Sequence, residues 1–193
     1  MAGMKSDRWS ECFYTDGDFT ALSNFTSEAS LLAGKNHQPK IPGGFLDRVN
    51  KKVAFEAWGV LGTTSTPTYI FQCRFGTTVG SSFLSGTSVG VTPTITAGNG
   101  VTNSIWHLRL EVWVKTVGEG GTNCTLNCMG QLWSGDAFAV SSYALAPATP
   151  PTATFTATLD ASVNQWFNLS VTCGTASASN TVTCKSLSAY ALN

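Results

Sequence analysis

The sequence predicts an all-β protein: an antiparallel β-sandwich, jelly-roll-like, at residues 51–193, preceded by an extended N-terminal arm at residues 1–50. Beyond residue 51, apolar and polar residues alternate in run after run, which is typical of strands with one buried face. Gly-, Ser-, Thr-, Asn- and Pro-rich segments such as LGTTSTP and GTASASN separate these runs and favour turns. Seven or eight short strands of this kind must bury their apolar faces on a second sheet. Periodicity does not set the order of the strands.

The composition limits the classes of function. The chain has 193 residues, of which 42% are hydrophobic, enough for one sizeable β domain. Only 11% are charged, against about 25% in typical soluble domains, and the formal net charge is +0. The sequence therefore shows no basic stripe for nucleic acid and no apolar run that would cross a membrane. A neutral surface rich in Thr, Ser and Gly is typical of a protein that works inside an assembly.

The first 50 residues differ from the rest because they lack sustained periodicity. HQPKIPGG, at residues 37–44, holds two prolines and two glycines, which disfavour both a helix and a central strand. This segment predicts an extended arm, with a short helical turn at residues 27–33. It contains no apolar signal-peptide core, so we expect synthesis in a reducing cytoplasm with the cysteines as thiols.

Each later strand is predicted from its own alternation, and the outward side is polar with a few aromatic exceptions. TPTYIFQCRFG, at residues 66–76, turns its aromatic residues to one side, and SIWHLRLEVWVKTV, at residues 104–117, does the same with its aliphatic ones. CTLNCMGQLW, TATFTATLD and WFNLSVTC continue the pattern. The residues predicted to point inward are Tyr69, Phe71, Cys73, Phe75, Trp106, Leu108, Leu110, Val112, Val114, Cys124, Leu126, Cys128, Leu132, Phe155, Ala157, Leu159, Phe167, Leu169, Val171 and Cys173.

Two cysteines flank the segment GTASASN, which is predicted to be a hairpin loop between two strands. A symmetric hairpin would place Cys173 opposite Cys184, within reach of a disulfide. The favoured interpretation is that both are small buried thiols, and the disulfide is the alternative. The least favoured interpretation is a zinc site built from Cys124, Cys128, Cys173 and Cys184, since C-x-x-x-C on a strand does not form the tight knuckle of zinc motifs.

The sequence offers no catalytic constellation, and no cofactor is expected. The two histidines, His37 and His107, accompany no nucleophile motif, and no Gly-rich loop has phosphate-binding spacing. His107, beside Arg109 on a polar strand face, is interpreted as a solvent-facing or interface residue. A hydrolase using an acid such as Glu111 or Asp136 is the least favoured class.

Aromatic residues on polar strand faces point to binding instead. Trp113 lies on the polar side of its strand, Trp58 is predicted to face outward, and Trp133 and Trp166 fall out of register with their apolar neighbours. Exposed indoles usually mark a contact surface. Subunit contact is the favoured use, and stacking against sugar rings is the alternative. The candidate interface residues here are Trp58, His107, Arg109 and Trp113.

Several stretches resemble small structural proteins of tailed bacteriophages. They are QPKIPGGFLD at residues 38–47, GVLGTTSTPT at 59–68, the Trp-x-Leu-Arg strand at 106–114 and GTASASNT at 174–181. The similarity covers about residues 38–187. Within its first stretch, Lys40, Ile41 and Phe45 join the candidate interface.

The resemblance implies a non-enzymatic virion protein, most simply a decoration, or cement, protein on the outside of a phage head. Its partners would be the major capsid protein and copies of itself, with a trimer the favoured homo-oligomer. The arm would order on binding the shell, and deletion of residues 1–45 would leave a folded sandwich. The alternative is a fibre- or tail-associated β-sandwich that binds a receptor or carbohydrate, since one fold serves both functions.

Overall fold

The computed structural model describes residues 10–33, 38–78, 84–119, 123–135, 137–138, 142–147 and 156–192. Within these ranges the chain forms β1 (Ser10–Gly17), β2 (Leu22–Ser23), β3 (Ala29–Ser30), β4 (Lys40–Ile41), β5 (Lys52–Gly62), β6 (Thr68–Gly76), β7 (Thr87–Val91), β8 (Ile95–Thr96), β9 (Ser104–Thr116), β10 (Cys124–Ser134), β11 (Ser142–Leu145), β12 (Thr156–Leu159), β13 (Gln165–Cys173) and β14 (Thr181–Leu192). The described ranges contain no helix that is long and apolar enough to cross a membrane.

Two antiparallel sheets pack face to face, so the predicted all-β sandwich is confirmed. Sheet A has the order β1-β14-β5-β9-β10-β11, with β12 also pairing to β10 and β2 to β14. Sheet B has the order β3-β13-β6-β7, with β4 pairing to β13 and β8 to β6. In each sheet an early strand pairs with a late one, β5 with β14 and β6 with β13. Alternation assigns the same inward residues as the structure at every predicted position that it describes; Phe155 lies outside those ranges.

Aromatic side chains join the two sheets at the centre of the core. Phe55 of sheet A stacks on Phe167 of sheet B with ring centroids 3.9 Å apart and an interplanar angle of 6°. Phe75 meets both rings edge-on, with centroids 5.6 and 6.0 Å away. Trp106 is fully buried and lies across Gly59, where an added Cβ would stand 2.3 Å from the indole. Glycine at this position is therefore what lets the largest core side chain cross β5.

The described residues before residue 51 lie against the sandwich and supply core side chains. β1 and β2 pair with β14, and β3 and β4 pair with β13. Its buried apolar residues are Phe19, Leu31, Leu32, Ile41 and Leu46. The predicted helical turn at residues 27–33 is wrong, because these residues form β3 and a turn. The boundary at residue 50 stays a prediction. The prediction that deletion of residues 1–45 leaves a folded sandwich does not agree with the buried side chains that this segment supplies.

The predicted hairpin between the last two strands is also wrong. β13 pairs with β6 in sheet B and β14 pairs with β5 in sheet A, so residues 174–180 carry the chain from one sheet to the other. Cys173 and Cys184 are consequently not cross-strand neighbours, and both are buried free thiols. Their sulfurs donate hydrogen bonds to nearby backbone oxygens, of Thr175 at 3.2 Å and Ser186 at 3.4 Å.

Candidate binding face on sheet A

The central strands of sheet A present a broad outward side to solvent. Because alternate residues of β5, β9 and β10 point away from the core, their side chains form one continuous surface, here called the outer face. Its four charged members, Lys52, Glu56, Arg109 and Glu111, balance in sign. Three apolar members are well exposed: Trp58 by 45%, Ile105 by 60% and Met129 by 55%. The outer face comprises Lys52, Glu56, Trp58, Ile105, His107, Arg109, Glu111, Trp113, Met129, Gln131 and Trp133.

Three rings stack in a row across these strands. Strand register places Trp58 opposite His107 and His107 opposite Trp133. The His107 ring lies 3.8 Å from Trp58 at 12° and 5.0 Å from Trp133 at 15°. Since neighbouring strands are about 4.8 Å apart, rings that stack along this direction stand upright on the sheet and turn their edges to solvent. The row is therefore a rigid aromatic ridge.

His107 is the middle ring of this ridge and is held in place from three sides. The two indoles cover both of its faces, and its Nε2 lies 2.8 Å from Oε1 of Glu56 on the adjacent strand. These contacts fix the position of the His107 ring on the outer face. His37, the other histidine weighed as a catalytic residue, lies outside the described ranges.

Beside the ridge, Arg109 and Glu111 form an ion pair on the same strand. The Arg109 Nη2 atom donates to Glu111 Oε1 at 2.8 Å, with both side chains partly in solvent. They border an open depression of about 590 Å³ between β10 and β11. The depression is lined by Arg109, Glu111, Met129, Gly130, Gln131, Trp133, Ser142, Ala144 and Leu145.

Trp113 lies on the outer face as expected, at the end away from the ridge. It is half-buried, and the Lys52 ammonium lies 5.4 Å from its ring centroid. Such a cation over an aromatic face covers part of the indole. Trp58 is thus the more exposed of the two tryptophans predicted for the interface, although their role as interface residues stays a prediction.

Lys40, Ile41 and Phe45 do not lie on the outer face. They line a smaller depression of about 330 Å³ between the edge strand β1 and the turn after β4. Lys40 lies 5.5 Å from the Trp166 ring, and Lys51 lies 4.3 Å from the Phe45 ring. Ile41 is only 2% exposed and packs in the core, so its prediction as a contact residue is corrected.

Three buried cysteines, Cys73, Cys128 and Cys184, have raised thiol pKa values. Burial raises the pKa of Cys128 to about 12, and it is also the main reason that the pKa of Cys184 is raised to about 12. Burial likewise raises the Cys73 pKa, with a smaller contribution from Cys128. A thiol of such high pKa stays protonated and unreactive near neutral pH. Within the described ranges, no three His, Cys, Asp or Glu side chains are grouped to hold a metal ion.

The sequence pointed to most single members of this site but missed their arrangement. Trp133 was recognised only as out of register, and Met129 and Gln131 were not singled out. The ridge depends on the register between β5, β9 and β10, which alternation within each strand does not define. No protein-family model and no curated protein matches this chain.

Proposed function

We propose that this chain is a non-enzymatic structural protein of a virion: a decoration protein that binds the outside of a bacteriophage head. In this proposal the outer face of sheet A contacts the major capsid protein and copies of the chain itself, with a trimer as the assembled form. The resemblance to tailed-phage structural proteins supplies the context. The outer face supplies the contact surface.

The observation that carries the proposal is an aromatic surface without net charge that is left uncovered on one sheet. From Ile105 to Trp113 it runs about 26 Å along β9, and its three strands β5, β9 and β10 span roughly 14 Å across, or on the order of 400 Å². Small specific interfaces bury roughly 600 Å² per partner, so the face supplies more than half of one small contact. Exposed Trp, Met and Ile side chains are unfavourable in water and are typical of interface centres.

The upright ridge suits a protein partner. Contact with it exchanges water around ring edges for packing, and the rings lose little conformational entropy because they are already stacked. In our proposal, the N-terminal segment contributes by completing its own sandwich, since its described residues supply buried side chains. The contacts between subunits are then made by the outer face.

Cryo-electron microscopy of particles that contain this chain tests the proposal. We expect density repeated over the icosahedral head, with the outer face of sheet A turned towards coat or a neighbouring copy. The double variant Trp58→Ser, Met129→Ser should lose occupancy on the head. Val163→Ser is the matched control, because Val163 is an exposed apolar residue on the turn before β13. Density absent from the head, or full occupancy in the double variant, would overturn the proposal.

A second candidate is a fibre- or tail-associated β-sandwich that binds a receptor or carbohydrate. The depression beside Trp133 favours it, because it combines an aromatic wall with hydrogen-bonding side chains. Density confined to a tail or fibre tip in the same microscopy would support this candidate over the decoration protein.

A further inference from the structure

The depression next to the ridge has a wall that stacking has already positioned. One face of the Trp133 indole is covered by His107, 5.0 Å away and nearly parallel. The opposite face turns towards β11, where the residue in register is Ser142. A serine side chain is too small to cover an indole, so this face borders the depression. Preorganisation of this kind lowers the entropy cost of binding.

The polar side chains around this wall carry balanced charge. Arg109 and Glu111 neutralise each other through their 2.8 Å contact, and each retains further donors or acceptors for a ligand. Gln131 lies opposite Arg109 on β10 and adds an amide with both donor and acceptor atoms. The site therefore offers several hydrogen bonds without a net charge, which favours a neutral ligand over an anion or a cation.

The volume and the chemistry together define the ligand class. A depression of about 590 Å³ lies within the usual range for small-molecule sites and holds one or two sugar rings. The weakly positive C–H groups on one side of a pyranose ring complement the negative face of an indole. Its hydroxyls match the donors and acceptors of planar polar side chains.

We propose that this depression binds a neutral saccharide, with one pyranose ring stacked on the open face of Trp133 and its hydroxyls bonded to Arg109, Glu111 and Gln131. Met129 and Ala144 provide the apolar border of the site. This proposal rests on the second candidate function and deepens it, because the residues that line the depression belong to the outer face, which a decoration protein would turn towards the coat.

Two binding measurements on the full chain test the proposal and separate the source of the sugar. The first is an array of immobilised glycans with neutral, sialylated and sulfated ends. The second is a titration with free maltose, cellobiose and lactose, followed by tryptophan fluorescence. We expect binding to neutral glycans, with dissociation constants on the order of 1 mM for free disaccharides because the depression is shallow. A signal on the array alone would identify a surface polysaccharide, and a signal in both would identify the terminal sugar unit itself.

Variants locate the ligand. Trp133→Ala should weaken binding at least tenfold, and Gln131→Leu should weaken it several-fold while retaining the packing volume. Trp166→Ala is the matched control: it removes an indole on β13 of sheet B, away from the outer face, and should bind as the wild type does. No binding to any neutral glycan, preference for the charged glycans, or equal loss in Trp166→Ala and Trp133→Ala would overturn the proposal. Occupancy on a phage head is measured separately, so failure of sugar binding and failure of the decoration function are distinguishable.

Discussion

The outward sides of the two sheets each carry an Arg–Glu pair, and the protein uses the two pairs differently. On sheet B, the Nε and Nη2 atoms of Arg74 donate hydrogen bonds to the Glu28 carboxylate, both at 3.0 Å, and the side chains are only 18% and 21% exposed. On sheet A, Arg109 makes one 2.8 Å contact with Glu111, and their exposed fractions are 51% and 31%. The chemistry is the same, but the surroundings are not.

Residues 28–32 account for this difference. Glu28 also accepts a hydrogen bond from Ser170 of β13, and Ser30 donates to Asn168 at 2.7 Å. Ser170 and Asn168 are outward-facing yet fully buried, because the N-terminal segment covers them. The segment thus completes sheet B within the chain, whereas the central strands of sheet A keep an open face. The closed outward side of sheet B serves stability, and in our proposal the open one of sheet A serves recognition.

The largest loss of stability is expected when the buried contact that anchors residues 28–32 is removed. Leu31 is fully buried, and its backbone N–H donates to the Leu169 oxygen at 2.8 Å. We expect Leu31→Ala to lower the free energy of unfolding by about 3 kcal/mol in urea titrations. Val49→Ala, at a position 55% exposed, should change it by less than about 0.5 kcal/mol. An equally small effect of Leu31→Ala would mean that this segment is dispensable for the sandwich.

The two arginines provide the next comparison. Arg74→Met should cost about 2 kcal/mol of stability, because it leaves Glu28 partly buried without its partner and removes the donor to Gly86 O at 3.0 Å. Arg109→Met should change stability by less than about 0.5 kcal/mol, since its pair is largely exposed. Equilibrium unfolding of both variants under one set of conditions checks the ratio, and equal costs would contradict the division between the sheets.

The contacts of Glu28 with Arg74 and Ser170 should also affect how the free energy of unfolding depends on pH. Burial opposes ionisation of Glu28, but hydrogen bonds from Arg74 and Ser170, with the charge of Arg74, outweigh it and lower the Glu28 pKa from 4.5. A lowered folded-state pKa stabilises the protein above the unfolded-state value, and this contribution is lost as pH falls through the folded-state value. The stability gap between the wild type and Glu28→Gln should therefore be constant from pH 7 to about 5 and shrink below about 4.5. Urea unfolding across this range tests it, and a gap that widens in acid would refute the assignment.

Only a small effect on stability is expected at the ridge. Trp58→Ser removes one stacking contact at an exposed site, so the free energy of unfolding should fall by less than about 1 kcal/mol. Its effect should appear in self-association instead, as a shift towards smaller species in sedimentation velocity at equal concentration. A large loss of stability would show that the ridge serves folding and not contact.

Alternation predicted the long strands and their faces because each has enough residues to show a period of two. Trp106, for example, is fully buried, and Trp113 on the same strand points outward, as its position required. The two-residue strands β3 and β4 are too short to show any period, so the anchoring of the N-terminal segment was not predictable. The sheet that β14 joins was not predicted for another reason. The apolar faces of both sheets meet in one core, so the alternation within a strand does not tell which sheet it joins.

The position of β14 has a consequence for biosynthesis. This strand comes last in chain order, yet it lies between β1 and β5, which are made much earlier. Until residues 181–192 have left the ribosome, β1 and β2 lack their partner strand, and the β5 edge of the remaining strands of sheet A is unpaired. Folding is therefore governed by contacts between distant parts of the chain, which makes it slow and leaves the intermediate prone to aggregation. Slowing translation should not help this protein to fold, whereas a chaperone that shields open strand edges should.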